Sequence, residues 1–269
     1  MKIKVTHSTT YTYNFTVPKL IQCLKLYPTE CSNQNIIQWK IVSSSGKIIE
    51  SHTDALGHRI TNIFNKNFGG ILKITSSGIV QTRDFSGVVK GLKEKVNPLC
   101  FLRQTRLTTP CKKIIKISKQ AKLGENNLIE FAHKINLIVS NAIEYVGGST
   151  NTSTSSKEAL KLGKGVCQDF AHILISVARL NNLPARYVNG FLLEDTNSGE
   201  NTTHAWVEIY IKDLGWVAFD PSHKRCIDDK YIRITAGFDF EDASTIKGIK
   251  TNYNGDEFLD TKVRIENCQ

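Results

Sequence analysis

The sequence predicts an α+β protein. An N-terminal antiparallel, sandwich-like β unit with its connecting segment spans residues 1–110, and a helix-and-sheet core with C-terminal strands spans residues 111–269. Three observations predict this. The first 85 residues are a succession of β-branched and aromatic stretches broken by Gly- and Ser-rich turns. Two later segments, on either side of a polar Ser/Thr-rich loop, space their apolar residues as a helix does. After Pro184, apolar stretches of strand length resume, two of them joined by a short turn.

In the first part, KIKVTHSTTYTYNF, LIQCLKLYP, IIQWKIVSS, HRITNIFN and ILKITSSGIVQTRD are rich in residues that suit a pleated, half-buried surface. The turn signals SSSG, ALGH and NFGG separate them. Short strands about 8–12 residues apart suggest a sandwich. No nucleophile, base and third group combine here, so this part reads as scaffold or substrate-docking surface. From about residue 86 to 112, Gly87, Gly91, Pro98 and Pro110 interrupt any period and mark a connection.

CKKIIKISKQAK follows, with Lys112, Lys113, Lys116, Lys119 and Lys122, the densest contribution to a formal charge of +10. On a helix, Lys112, Lys116 and Lys119 share one side. Such a stripe can meet an acidic partner or nucleic acid. No aromatic residue interleaves with the lysines, so the reading is a solvated helix face, and no nucleic-acid partner is expected. Next, ENNLIEFAHKINLIVSNAIEYV sets Leu128, Phe131, Ile135, Ile138, Val139 and Ala142 near a 3.6-residue period, which predicts a helix of five or six turns.

Hydrophobic content of 40% and charged content of 22% are ordinary for a soluble globular chain. No apolar run approaches the roughly 18 residues that span a bilayer, and the N-terminus has no apolar h-region. No membrane partner is expected. The seven cysteines, at 23, 31, 100, 111, 167, 226 and 268, form no CxxC pair. They read as reduced thiols of a cytoplasmic protein.

The chemistry concentrates downstream. After the polar loop GGSTNTSTSSKEA comes GKGVCQDFAH, in which a glycine-flanked turn delivers Cys167 to the start of a helix. Phe170, Ala171, Leu174, Val177 and Ala178 keep helical spacing until NNLP, where Pro184 closes the helix. Free N–H groups and the positive end of the helix dipole favour thiolate over thiol at such a position. ARYVNGFLL is then one strand, and THAWVEIYI and GWVAFDPS are two more, joined by KDLG into a hairpin. Folded about Lys212, that hairpin sets His204 opposite Asp220, and opposed side chains across an antiparallel ladder are about 4.5–5.5 Å apart. YIRITAGFDF and FLDTKVRIE read as further strands.

Each residue alone has an ordinary explanation. A cysteine before a helix packs, a histidine at a strand start is an edge residue, and the aspartate of FDPS caps a turn. Together they assemble a nucleophile, a base and an orienting carboxylate. The backbone N–H of Cys167 is a natural oxyanion donor, and Tyr145 is a candidate for the second. A zinc site from His204, His223, Asp220 and Cys226 lacks structural-zinc spacing, so neither metal nor cofactor is expected.

GKGVCQDFAH, ARYVNG and THAWVEIYIKDLGWVAFDPS resemble the bacterial transglutaminase-like proteins, often described as candidate cysteine proteases. DALGHRIT and IRITAGFDFEDASTIKGI share that family's texture, so the resemblance covers most of the chain. It implies a papain-like core, with a cysteine helix packed on an antiparallel sheet, preceded by an N-terminal β domain. By the motif match, Cys167, His204 and Asp220 would be a catalytic triad. Asp169, His172 and Trp206 also lie inside the matched motifs. His172 falls five residues after Cys167, about 140° around the helix, and reads as structural. Trp206 shares a strand face with His204 and would wall the cleft or pack the core, with the core reading favoured.

The reaction implied is acyl transfer through a thioester, with hydrolysis of a peptide or glutamine amide favoured. Transfer to an amine by a cross-linking transglutaminase, or a non-catalytic binding module on the same fold, are the alternatives. The expected partner is a peptide or protein substrate. The polar residues 196–202, between FLLED and THAW, are expected to shape the mouth of the cleft.

Overall fold

The computed structural model describes residues 1–122, 127–194 and 203–268. The N-terminal part is one antiparallel sheet containing β1 (Lys2–Leu24), β2 (Gln34–Ser43), β3 (Lys47–Thr53) and β4 (Arg59–Thr82). The sequence suggests five short strands where β1 and β4 are single strands of 23 and 24 residues, paired along most of their length. NFGG is therefore not a hairpin turn. Gly70, at φ 85°, pairs with Tyr13 where the β1–β4 register shifts, so the ladder bends there without ending. The bend gathers Leu20, Leu24 and Ile63 with Leu72 and Ile74 in one buried cluster.

The core begins with β5 (Val88–Val89) and a single-turn helix at Pro98–Leu102. It continues with α1 (Lys112–Lys122), α2 (Leu128–Ser140), β6 (Glu144–Tyr145), α3 (Ser156–Leu162), β7 (Lys164–Gly165) and α4 (Cys167–Leu180). Its sheet contains β8 (Ala185–Leu192), β9 (Thr203–Ile211), β10 (Gly215–Asp220), β11 (Arg225–Cys226) and β12 (Tyr231–Gly237), in the order β11-β10-β9-β8-β12.

Period-two alternation explains how helix and sheet pack. Ala205, Val207, Ile209, Val217 and Phe219 face the helices and bury against Phe170, Ile173, Leu174 and Val177 of α4. Trp206, Trp216 and Tyr231 form a second cluster with Phe101. The solvated lysine face of α1 is as expected: Lys112, Lys113, Lys116 and Lys119 are exposed while Ile114 is buried. α2 is shorter than its period suggests, 13 residues, because Asn141 closes it with its N–H on the carbonyls of Ile138 and Val139. The chain released there supplies β6. Among the described residues, no helix is long and apolar enough to cross a membrane.

Of the two C-terminal strands expected with the core, YIRITAGFDF lies in the core sheet as β12, whereas FLDTKVRIE instead extends the first sheet. β13 (Ile246–Thr251) and β14 (Glu257–Asn267) both pair with β1. An alternating strand pattern does not encode which open edge the strand joins; here β1 has one edge covered by β4 and offers the other. Val263 and Ile265 then bury with Ile3, Val5 and Val80 against Phe191, Ile232 and Ile234 of the core sheet.

Polar links reinforce this junction. The Gln34 amide donates to Arg233 O at 2.8 Å, and the Arg233 N–H returns to Gln34 Oε1 at 2.9 Å. His58, within DALGHRIT, accepts the Ala236 N–H at 2.9 Å. Beneath them Glu208, fully buried, lies between Arg186 at 2.6 Å and Arg233 at 2.7 Å. Burial pushes the Glu208 carboxyl up, but the two guanidinium groups override it and hold the pKa at about 2.

Candidate active site

Local geometry delivers Cys167. α3 ends at Gly163, whose φ of 74° only glycine adopts freely. β7 then pairs in parallel with β6, bringing Tyr145 beside Gly165. A Cβ on Gly165 would stand 2.7 Å from Asp169 Cβ, so the turn needs a residue without a side chain there. Asp169 accepts the Val166 N–H at 2.8 Å and the Thr150 hydroxyl at 2.5 Å. It therefore ties the turn before Cys167 and the polar loop to the first turn of α4. Burial raises the Asp169 pKa, against these hydrogen bonds. Cys167 is half-buried as the first residue of α4, where its N–H has no acceptor within the helix.

His204 and Asp220 come from the hairpin, in a register that corrects the sequence reading. Val207 pairs with Phe219 and Ile211 with Gly215, so the hairpin is centred on Asp213 rather than Lys212. Asp213 at φ 72° lies in the turn, and Gly215 at φ 86° opens β10 just after it. By that register Asp220 continues opposite Trp206, and His204 is its diagonal neighbour. Diagonal partners remain within reach of ring side chains, and His204 Nε2 donates to Asp220 Oδ2 at 2.6 Å. The Cys167 side chain lies close enough to His204 to help raise the imidazole pKa. With Nε2 committed to the carboxylate, Nδ1 is the nitrogen left for sulfur.

Asp220 is fully buried. Its Oδ1 accepts the Ser222 N–H at 3.0 Å, the Ser222 hydroxyl at 2.6 Å and the His223 N–H at 3.2 Å. Its Oδ2 accepts from His223 Nδ1 and the Tyr231 hydroxyl, each at 2.8 Å, as well as from His204. Burial alone would raise this carboxyl; the hydrogen bonds and charges of His204 and His223 override it and hold the pKa far below the carboxylate range. For His204, burial disfavours the imidazolium, yet the bond to Asp220 and the nearness of Cys167 outweigh it and raise the pKa above the ordinary imidazole value.

The other candidates are placed as follows. Tyr145 is 54% exposed and stacks on Phe170 at 6.2 Å. Burial raises its hydroxyl to about 12, with smaller electrostatic contributions from Cys167, Glu194 and Asp220, so it lies within electrostatic reach of the sulfur. Trp206 is fully buried, 6.4 Å from the His204 ring and edge-on to Tyr231 at 5.5 Å. It backs the histidine from within the core. His172 accepts the Phe240 N–H at 3.2 Å, and burial lowers its pKa to about 3. Residues 196–202 lie outside the described residues.

Sequence reasoning missed Ser222 and Tyr231, and considered His223 only as a metal ligand. The DPSH turn carried a signal for Ser222 and His223, two and three residues after the aspartate. Tyr231 had none, since β12 brings it from another strand. Of the four residues weighed for zinc, His204, Asp220 and His223 gather within 4.8 Å; Cys226 is not in that group. The three are joined by hydrogen bonds of 2.6 and 2.8 Å, and Asp220 Oδ2 already receives three donors.

Comparison with known proteins matches residues 115–221 to the transglutaminase-like superfamily core and residues 3–81 to the bacterial transglutaminase-like N-terminal region. The chain belongs to the transglutaminase-like superfamily. The two matches cover α1 through Asp220 and almost all of β1–β4. An uncharacterised protein of Mycobacterium leprae is 26% identical over 98% of each chain. One from Mycobacterium tuberculosis is 30% identical over 53% of this chain, which spans about half (49%) of that relative. The crystal structure of a candidate cysteine protease from Cytophaga hutchinsonii shares the fold, with a TM-score of 0.77 and 22% identity over 99% of this chain and 90% of that one. Transglutaminase-like proteins are generally cysteine-dependent enzymes. In this one the architecture is an antiparallel sheet packed against a helix that begins at Cys167.

Proposed function

We propose that the chain is a cysteine-dependent amide acyltransferase that works through a thioester, with hydrolysis of a peptide or glutamine amide as its reaction. The observation that carries this reading is the 2.6 Å hydrogen bond from His204 to Asp220, with Cys167, at a helix N-terminus, close enough to the same imidazole to help raise its pKa. Cys167 sulfur attacks the carbonyl carbon while the thiol proton resides on His204. The Cys167 N–H receives the developing oxyanion, and the Tyr145 hydroxyl, kept protonated by its raised pKa, is the candidate second donor. His204 passes its proton to the leaving amine, and a thioester remains. Water, deprotonated by His204, then releases the acid. Asp220 orients the imidazole and stabilises its charged form throughout.

A groove of about 620 Å³ along Ser149, Thr150, Asn151, Glu158 and Leu162 offers a place for an extended peptide or protein segment. Thr150 links it to the cysteine turn through Asp169. Water is favoured as acceptor because it needs no second substrate site; an amine acceptor is the alternative. The test is mass spectrometry of a mixed peptide pool incubated with the protein and a labelled primary amine, beside Cys167→Ala. Cys167-dependent new termini, or glutamine converted to glutamate, are expected. Amine adducts on glutamine would establish the transferase instead. Silence in both samples would shift weight to a binding module.

A further inference from the structure

Asp220 serves more than His204. Three donors from three places in the chain converge on its Oδ2: His204 Nε2 from β9, the Tyr231 hydroxyl from β12, and His223 Nδ1 from the DPSH turn. The two imidazole rings stand edge to face, 5.2 Å between centroids. They differ in access: the His223 side chain is 35% exposed and that of His204 8%. The outer nitrogen of His223 faces Glu194 Oε1 at 3.7 Å, two residues beyond β8. Rotating Asp220 away from His204 would break the His223 bond as well. His223 is thus geometrically coupled to a bond it does not itself make.

We propose that His223 is a positioning residue: by donating from Nδ1 to Asp220 Oδ2, it holds the carboxylate where it grips His204 Nε2, which keeps the other nitrogen of His204 on Cys167. This rests on the reading of Cys167 and His204 as the reacting pair.

The choice of nitrogen makes the proposal testable. An asparagine amide nitrogen occupies nearly the position of histidine Nδ1, whereas a glutamine amide reaches about one bond further, towards Nε2. His223→Asn therefore keeps the donor, His223→Gln displaces it, and His223→Ala removes it. The readout is the rate of Cys167 alkylation by iodoacetamide at pH 6.5, resolved by peptide mass spectrometry in the full chain. Exposed Cys100 is the internal reference, and a thermal midpoint is measured for each variant.

The alanine and glutamine variants should slow Cys167 about tenfold, the scale of one charge-assisted hydrogen bond, with Cys100 unchanged. The asparagine variant should stay within about threefold of the parent. Should His223→Ala fail to fold, the asparagine–glutamine difference carries the same test. Equal rates in all variants, or asparagine as slow as alanine at an unchanged midpoint, would overturn the proposal alone. If Cys167 in the parent is no faster than Cys100, the reading of the reacting pair falls and this proposal with it.

Discussion

Replacing Asp220 by asparagine should disable the Cys167–His204 pair. Six donors point at the carboxylate, three on each oxygen. An amide has only one acceptor oxygen, so its NH2 must confront one set of donors whichever way it turns. The charge is lost as well. At a separation of about 4 Å and an effective dielectric near 20, a carboxylate stabilises an imidazolium by about 4 kcal/mol. The amide dipole and relaxation recover part of this, leaving about 2–3 kcal/mol, or roughly a hundredfold in rate. Donors left facing the NH2 should cost a further ~2–4 kcal/mol of folding stability. Alkylation kinetics of Cys167 at pH 6.5 and a urea titration measure the two effects separately. An Asp220→Asn variant that alkylates within threefold of the parent would refute the role given to the carboxylate. A slow variant of unchanged stability would refute the donor count.

Other outcomes follow from the same structure. Gly165→Ala should misplace the cysteine turn by forcing a Cβ into Asp169, lowering the thermal midpoint and Cys167 reactivity together. Glu208→Ala leaves Arg186 and Arg233 buried without their shared partner, a loss of about 3–5 kcal/mol by denaturant titration. Acid should destabilise the fold through its buried neutral histidines. Burial lowers His7 to about 4 and His172 to about 3, so below pH 6.5 the unfolded chain takes up protons that the folded chain refuses. Their contribution is complete above pH 6.5 and is lost as pH falls towards 4 and 3, about 2–3 kcal/mol each by pH 4.5. His204 has the opposite sign: its contribution is complete below pH 6.5 and disappears as pH rises through its raised pKa. Urea midpoints from pH 4.5 to 7 should therefore rise with pH, and His172→Gln should flatten the slope.

The sequence by itself determined what depends on near neighbours. Gly163 and Gly165 before an apolar 3.6-residue period are enough to place Cys167 at a helix start. His204 and Asp220 are brought together by a hairpin whose strands and turn are contiguous; the pairing was legible, and its register was two residues out because the turn is centred on Asp213. Alternation also placed Trp206 on the His204 face, but not its complete burial, which requires Tyr231 from β12 and Trp216 from β10. Only the tertiary structure decided the rest. Tyr231 and the orienting bond of His223 depend on where Asp220 faces once three strands are assembled. β13 and β14 joined β1 because it had an open edge, and β1 and β4 remained unbroken because a bulge with Gly70 bends a ladder that a turn would have ended. Local pattern specifies an element and its buried face, whereas the choice of edge, bend and shared hydrogen-bond partner is settled by competition among distant segments for the same unpaired groups.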